Sequence, residues 1–153
     1  MGIPSYYKQV IENYPHIIIS ENQLDIIPDN LFLDLNCAIH PCCTNKTNEI
    51  DMYDSIFEKI KECIEITKVQ KLIYIAIDGP APRTKMEQQR QRRLKSLQEH
   101  KLWDTNQITP GTKFMNNLHI FLNQKCKELT IPYIISDSNS PGEGEHKIMN
   151  YID

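Results

Sequence analysis

Residues 74–89 read YIAIDGPAPRTKMEQQ, and the chain continues as RQRRLK to Lys95. The stretch opens inside an apolar run, Leu72 to Ile77, that ends in Asp78-Gly79. Such a run reads as a buried strand, because it lacks polar alternation. Pro80-Ala81-Pro82 then breaks it. Beyond the turn a helix is expected from Arg83 to Glu99, carrying Arg83, Lys85, Arg90, Arg92, Arg93 and Lys95. Every arginine of the protein falls between positions 83 and 93. A buried strand thus delivers a carboxylate to a turn, and the next element is the most basic part of the chain. That juxtaposition suits a site holding a metal ion beside a phosphate-bearing ligand.

Working toward the N-terminus, Met52, Ile56, Ile60, Cys63 and Ile64 recur at helical spacing and predict an amphipathic helix over 51–67. Before it, Leu31-Phe32-Leu33-Asp34-Leu35 reads as a second buried strand, interrupted by one acid. Strand, helix and strand make a βαβ unit with parallel strands. Residues 41–50 read as a polar loop, and Gly2 to Tyr14 as a short helix closed by Pro15. Toward the C-terminus, Thr109-Pro110-Gly111 is expected to open a helix with Thr109 as N-cap, and Phe114, Leu118, Phe121, Leu122 and Cys126 form its apolar stripe. Ile131 to Ile135 reads as a third strand, ending in Ser136-Asp137. The closing segment SPGEGEHKIMNYI, from Ser140 to Ile152, predicts a last helix with Ser140, Pro141 and Glu143 as a capping box. Glu145 shares a predicted inward face with Ile148, Met149 and Ile152. The fold class is therefore α/β, a mostly parallel sheet flanked by helices.

Three strands end near an acid: Asp34, Asp78 and Asp137. In an open parallel sheet, ligands bind beyond the carboxyl ends of the strands. Glu143 and Glu145 should reach the same edge. Asp34 could instead close a strand-end turn, and Glu143 could be only a helix cap. Converging carboxylates repel unless a cation joins them, and Mg²⁺ or Mn²⁺ suits an all-oxygen site. Two such ions, about 4 Å apart, would activate water and steady the leaving oxygen of a phosphodiester. On the basic helix Lys85, Gln89, Arg92 and Arg93 share one face, within about 100° of arc, and could hold a terminal phosphate. A merely solvated charged face is the plainer account of them.

The 153 residues fit one domain over 1–153, and the net charge of −3 excludes a globally basic nucleic-acid coat. Five cysteines without a CxxC pair suit a reducing, intracellular setting, cytoplasmic or nuclear. His40-Pro41-Cys42-Cys43 lacks a second ligand pair for zinc. Tyr6 stands where an N-myristoylation motif needs Ser or Thr. No apolar run approaches the roughly 18 residues of a membrane span.

Several ordered segments resemble the N-terminal part of the Xrn-type 5′-3′ exoribonuclease family: MGIPSYYKQVIENYP, DNLFLDLNCAIH, YIAIDGPAPRTKMEQQRQRR, ITPGTKFM and SDSNSPGEGEHKIMNYI. The resemblance covers nearly all of the chain. It implies a three-layer nuclease core like that of PIN domains and flap endonucleases, and a substrate of single-stranded RNA with a 5′-monophosphate, degraded to mononucleotides in RNA turnover. Asp34, Asp78, Glu143 and Glu145 would be the metal-binding carboxylates of a two-ion Mg²⁺ or Mn²⁺ site. Lys85, Gln89, Arg92 and Arg93 would hold the 5′-phosphate, and His40 would stack on the first base.

The chain departs from the family pattern at Cys37-Ala38, where glycine and a bulky aliphatic are usual, and in the short connection between Arg93 and Thr109. The resemblance also implies further catalytic aspartates beyond Asp153, so the core is expected to be incomplete at the C-terminus and to need a downstream segment. Two other readings stand beside the exoribonuclease: a flap- or PIN-type nuclease acting on DNA or internal RNA sites, and a catalytically incomplete or degenerate RNA-binding fragment of the same fold.

Overall fold

The computed structural model describes residues 5–18, 27–80, 86–87, 90 and 103–153. Helix α1 spans Tyr6–Asn13 and is followed by a 3₁₀ turn at Pro15–Ile17. Strand β1 is Asn30–Asp34. It runs into helix α2, Asn36–Cys43, whose last residues, from Pro41, take up the start of the segment 41–50 expected as a polar loop. Helix α3 spans Glu49–Thr67; the Asn48 side chain caps it by accepting from the Ile50 N–H at 3.1 Å. Strand β2 is Leu72–Ala76, helix α4 is Lys113–Lys125, strand β3 is Tyr133–Ser136 and helix α5 is Gly144–Ile152.

The described strands form one parallel sheet in the order β1-β2-β3. Asp34 is registered opposite Ala76, and Ala76 opposite Ser136, so the three carboxyl ends are level. Alternation along β2 then assigns its two faces. Ile73, Ile75 and Ile77 point into the main core with Met52, Ile56 and Ile60 of α3 and Phe114, Leu118 and Leu122 of α4. Tyr74 points the other way and stacks on Tyr151 of α5, with ring centroids 4.5 Å apart. Phe32 of β1 packs against both rings. The result is three layers: α3 and α4, the sheet, and α5. Both β2 faces are covered, which is why its sequence is apolar throughout.

Two helix starts differ from expectation. Helix α4 begins at Lys113, not at Thr109: Gly111 has φ +86°, and Thr112 supplies the cap by accepting from the Met115 N–H at 3.3 Å. Helix α5 begins at Gly144 with Glu143 at the N-cap position and no side-chain capping hydrogen bond, so Ser140, Pro141 and Glu143 make no capping box. The inward face of α5 is also not the expected one. Gly144 and Lys147 are buried, whereas Glu145, Met149 and Ile152 are exposed.

Candidate functional site

Backbone geometry builds the site first. Beyond β2 the chain passes through Asp78-Gly79, and the Gly79 N–H donates to the Gly142 carbonyl at 2.9 Å. A Cβ on Gly79 would overlap the Ser140 carbonyl oxygen, so only glycine permits this approach. The loop that precedes α5 therefore lies directly on the end of β2. Asp78 is held at both ends: its N–H donates to Asn36 Oδ1 at 3.2 Å, and its Oδ1 accepts from the Gly144 N–H at 2.7 Å. The second bond sits at the helix N-terminus, where a carboxylate is stabilised.

Asp34 closes β1 and accepts from the Asn36 N–H at 3.3 Å. Burial pushes its carboxyl above the usual carboxylate range. The charge of Asp78 adds to that shift, and so does Glu145, which is also within hydrogen-bonding reach; the Asn36 N–H opposes it. A Cβ on Gly144 would stand 2.5 Å from Asp34 Oδ1, so the opening of α5 is pressed against this carboxylate. Asp34, Asp78 and Glu145 are thus brought to one edge from three separate elements. Glu143 sits at the α5 N-cap position with its side chain 13% exposed and Oε2 4.0 Å from His146 Nδ1. Among the described residues, no group of three or more His, Cys, Asp or Glu side chains forms a metal-ligating set.

Asp137 lies just past β3 but is committed to its own loop. It accepts from the Asn139 N–H and side chain, at 3.1 and 2.8 Å, and its Oδ2 is 3.3 Å from His119 Nδ1. Burial raises its carboxyl, but these bonds, the histidine and the Ser140 N–H outweigh burial and leave it below its ordinary value.

His40 is exposed on the last turn of α2, and its carbonyl accepts from Thr44 Oγ1 at 3.1 Å. Lys85, Gln89, Arg92 and Arg93 lie outside the described residues; Met86, Glu87 and Arg90 of that segment are helical and exposed. Sequence reasoning passed over Asn36, Gly79, Gly144 and Lys147. The glycines could have been suspected from their places beside Asp78 and between Glu143 and Glu145, where a backbone must come close to carboxylates.

No described helix is long and apolar enough to cross a membrane. The profile of the XRN 5′-3′ exonuclease N-terminus matches residues 1–102 and 97–153. The chain is 34% identical to the 5′-3′ exoribonuclease 2 of Arabidopsis thaliana over 99% of its residues, which is 21% of that relative. The corresponding values are 36% and 24% for the 5′-3′ exoribonuclease 2 homolog of Drosophila melanogaster. They are 38% and 14% for the 5′-3′ exoribonuclease 1 of Schizosaccharomyces pombe, again over 99% of the chain. The chain therefore spans a quarter or less of these relatives. The alignments run to 214 and 187 positions, more than the 153 residues present, so the relatives carry insertions relative to this chain. The two halves of the profile match meet at residues 97–102, within the short connection between Arg93 and Thr109. By its profile match and by this identity along nearly its whole length, the chain belongs to the XRN 5′-3′ exonuclease N-terminus family.

Proposed function

We propose that this chain is an RNA-engaging N-terminal part of a 5′-3′ exoribonuclease core, holding a portion of the acidic centre and not hydrolysing RNA by itself. One observation carries the reading. Asp34, Asp78 and Glu145 meet at the carboxyl edge of the sheet, yet among the described residues no three acids form a ligating set. The donors are all carboxylate oxygens. Burial raises Asp34 most, the charges of Asp78 and Glu145 add to it, and a divalent cation would offset both, so the residues suit Mg²⁺ or Mn²⁺. Asp34, Asp78, Glu143 and Glu145 would hold one or two such ions. A bound ion pair would supply a metal-activated water and charge stabilisation for phosphodiester hydrolysis.

The substrate proposed is single-stranded RNA with a 5′-monophosphate. Lys85, Gln89, Arg92 and Arg93 would hold the phosphate through charge-assisted bonds. His40, exposed on the last turn of α2, would stack on the leading base. Supplied with the further segments that relatives carry, the same edge would release mononucleotides from the 5′ end.

The test is a pair of measurements on 3′-labelled single-stranded RNA bearing a 5′-phosphate or a 5′-hydroxyl, in Mg²⁺ or Mn²⁺. Preferential binding of the phosphorylated RNA without mononucleotide release is expected. Mononucleotide release by the chain alone would replace this reading with that of a self-sufficient exoribonuclease. Equal binding of both RNAs would remove the 5′-phosphate assignment.

A further inference from the structure

Among the described residues one charged side chain is buried. Lys147 is 7% exposed, and its Nζ donates to the Ile77 carbonyl at 2.7 Å and to the Asp137 carbonyl at 2.6 Å. Ile77 immediately precedes Asp78, and Asp137 immediately follows β3. The ammonium therefore joins the ends of two neighbouring strands just behind the acids. Its own backbone is fixed as well: the Lys147 N–H donates to the Glu143 carbonyl at 3.0 Å, and Tyr74 Oη donates to the Lys147 carbonyl at 3.5 Å. A buried ammonium is tolerated when its protons find acceptors, and here two carbonyls take two of the three.

We propose that Lys147 is a positioning residue of the acidic site. Its ammonium ties the ends of β2 and β3 to the first turn of α5 and so sets Asp78 against the Gly144 N–H. The inference rests on reading this edge as the acidic centre, and it assigns the lysine of the closing segment a task that neither the acids nor the basic helix performs. A plain core lysine would stabilise the fold as a whole; a positioning lysine governs one contact. The charged groups around it are Asp78 from the end of β2 and Asp137 from the end of β3.

The experiment is amide hydrogen exchange by NMR on the metal-free protein, comparing wild type with Lys147→Met, a substitution of similar length without donors. Losing a charge-assisted clamp should speed exchange of the Gly144 N–H by about ten- to a hundredfold, while Ile56 and Ile60 in α3 change by less than about twofold. An unchanged Gly144 N–H, or the same acceleration throughout α3 and α4, would overturn the proposal. If Lys147→Met does not fold, Lys147→Gln is judged by the same comparison, because its amide retains a donor for one carbonyl. A parallel Mn²⁺ titration is expected to show about tenfold weaker binding in the variant. Failure of the wild type to bind Mn²⁺ would remove the acidic-centre reading, whereas the Gly144 exchange would still decide the role of Lys147.

Discussion

Asp34 carries a charge its surroundings resist, since burial and the neighbouring Asp78 and Glu145 all favour its neutral form. Its folded pKa lies above the unfolded one, so the stability it contributes is present at low pH and lost as pH rises through the folded value. Asp34→Asn should therefore make the metal-free protein more resistant to urea at neutral pH. On the proposed metal site, Mn²⁺ should stabilise the wild type by about 2.7 kcal/mol at a hundred times the Kd, and the same variant should lose that stabilisation. Urea unfolding without metal checks the first and thermal unfolding with and without Mn²⁺ the second; a variant that kept the Mn²⁺ shift would remove Asp34 from the site. Gly144 is the steric counterpart. Its missing Cβ leaves room for the Asp34 carboxylate, and Gly144→Ala is expected to cost about 1–3 kcal/mol in urea unfolding. Asp137 has the opposite sign from Asp34. Its folded pKa is depressed, so its contribution is present above the unfolded pKa and lost as pH falls through the folded value. Asp137→Asn should flatten the acid limb of stability against pH, measured as the urea midpoint from neutral pH downward. A limb as steep as that of the wild type would count against the assignment.

At the scale of elements, local signals and tertiary contacts divided the work. Helix α3 was legible because Met52, Ile56 and Ile60 keep one face for the core over many turns, and the described helix adds only its capped first turn. Asn48→Ala should cost about 1 kcal/mol through that cap, read by urea unfolding, and a change within error would show that the cap contributes nothing. Helix α2 was hidden because Pro41 removes a helical N–H and reads as a breaker. The start of α4 was misplaced because two threonines could cap, and the left-handed Gly111 decided for Thr112. The face of α5 was misjudged for another reason. Apolar spacing alone favoured Ile148, Met149 and Ile152, but the sheet end needed a small residue beside Asp34 and a cation between two carbonyls. Gly144 and Lys147 were therefore turned inward and Met149 outward.

For the whole molecule, the net charge of −3 means that the proposed RNA attraction would have to come from a local patch. Binding of 5′-phosphorylated RNA should weaken steeply with salt, and Arg93→Ala should lower the slope of log K against log salt by about 0.7, the share of one phosphate contact on a single strand. An unchanged slope across a salt titration would place the contact elsewhere. The sequence by itself determined the parallel α/β class, because apolar runs on either side of an amphipathic helix admit few topologies. It also put Asp34 and Asp78 at the ends of two strands, because each apolar run stops at its acid. Only the tertiary structure decided how those acids are used. Asp78 is pinned by Asn36 and Gly144, Asp34 is pressed by α5, Asp137 is absorbed by its own loop, and Lys147 is drawn beneath the edge. Those outcomes depend on backbone groups seeking partners across the fold, and a hydrogen bond between residues about 70 positions apart leaves no local period in the chain.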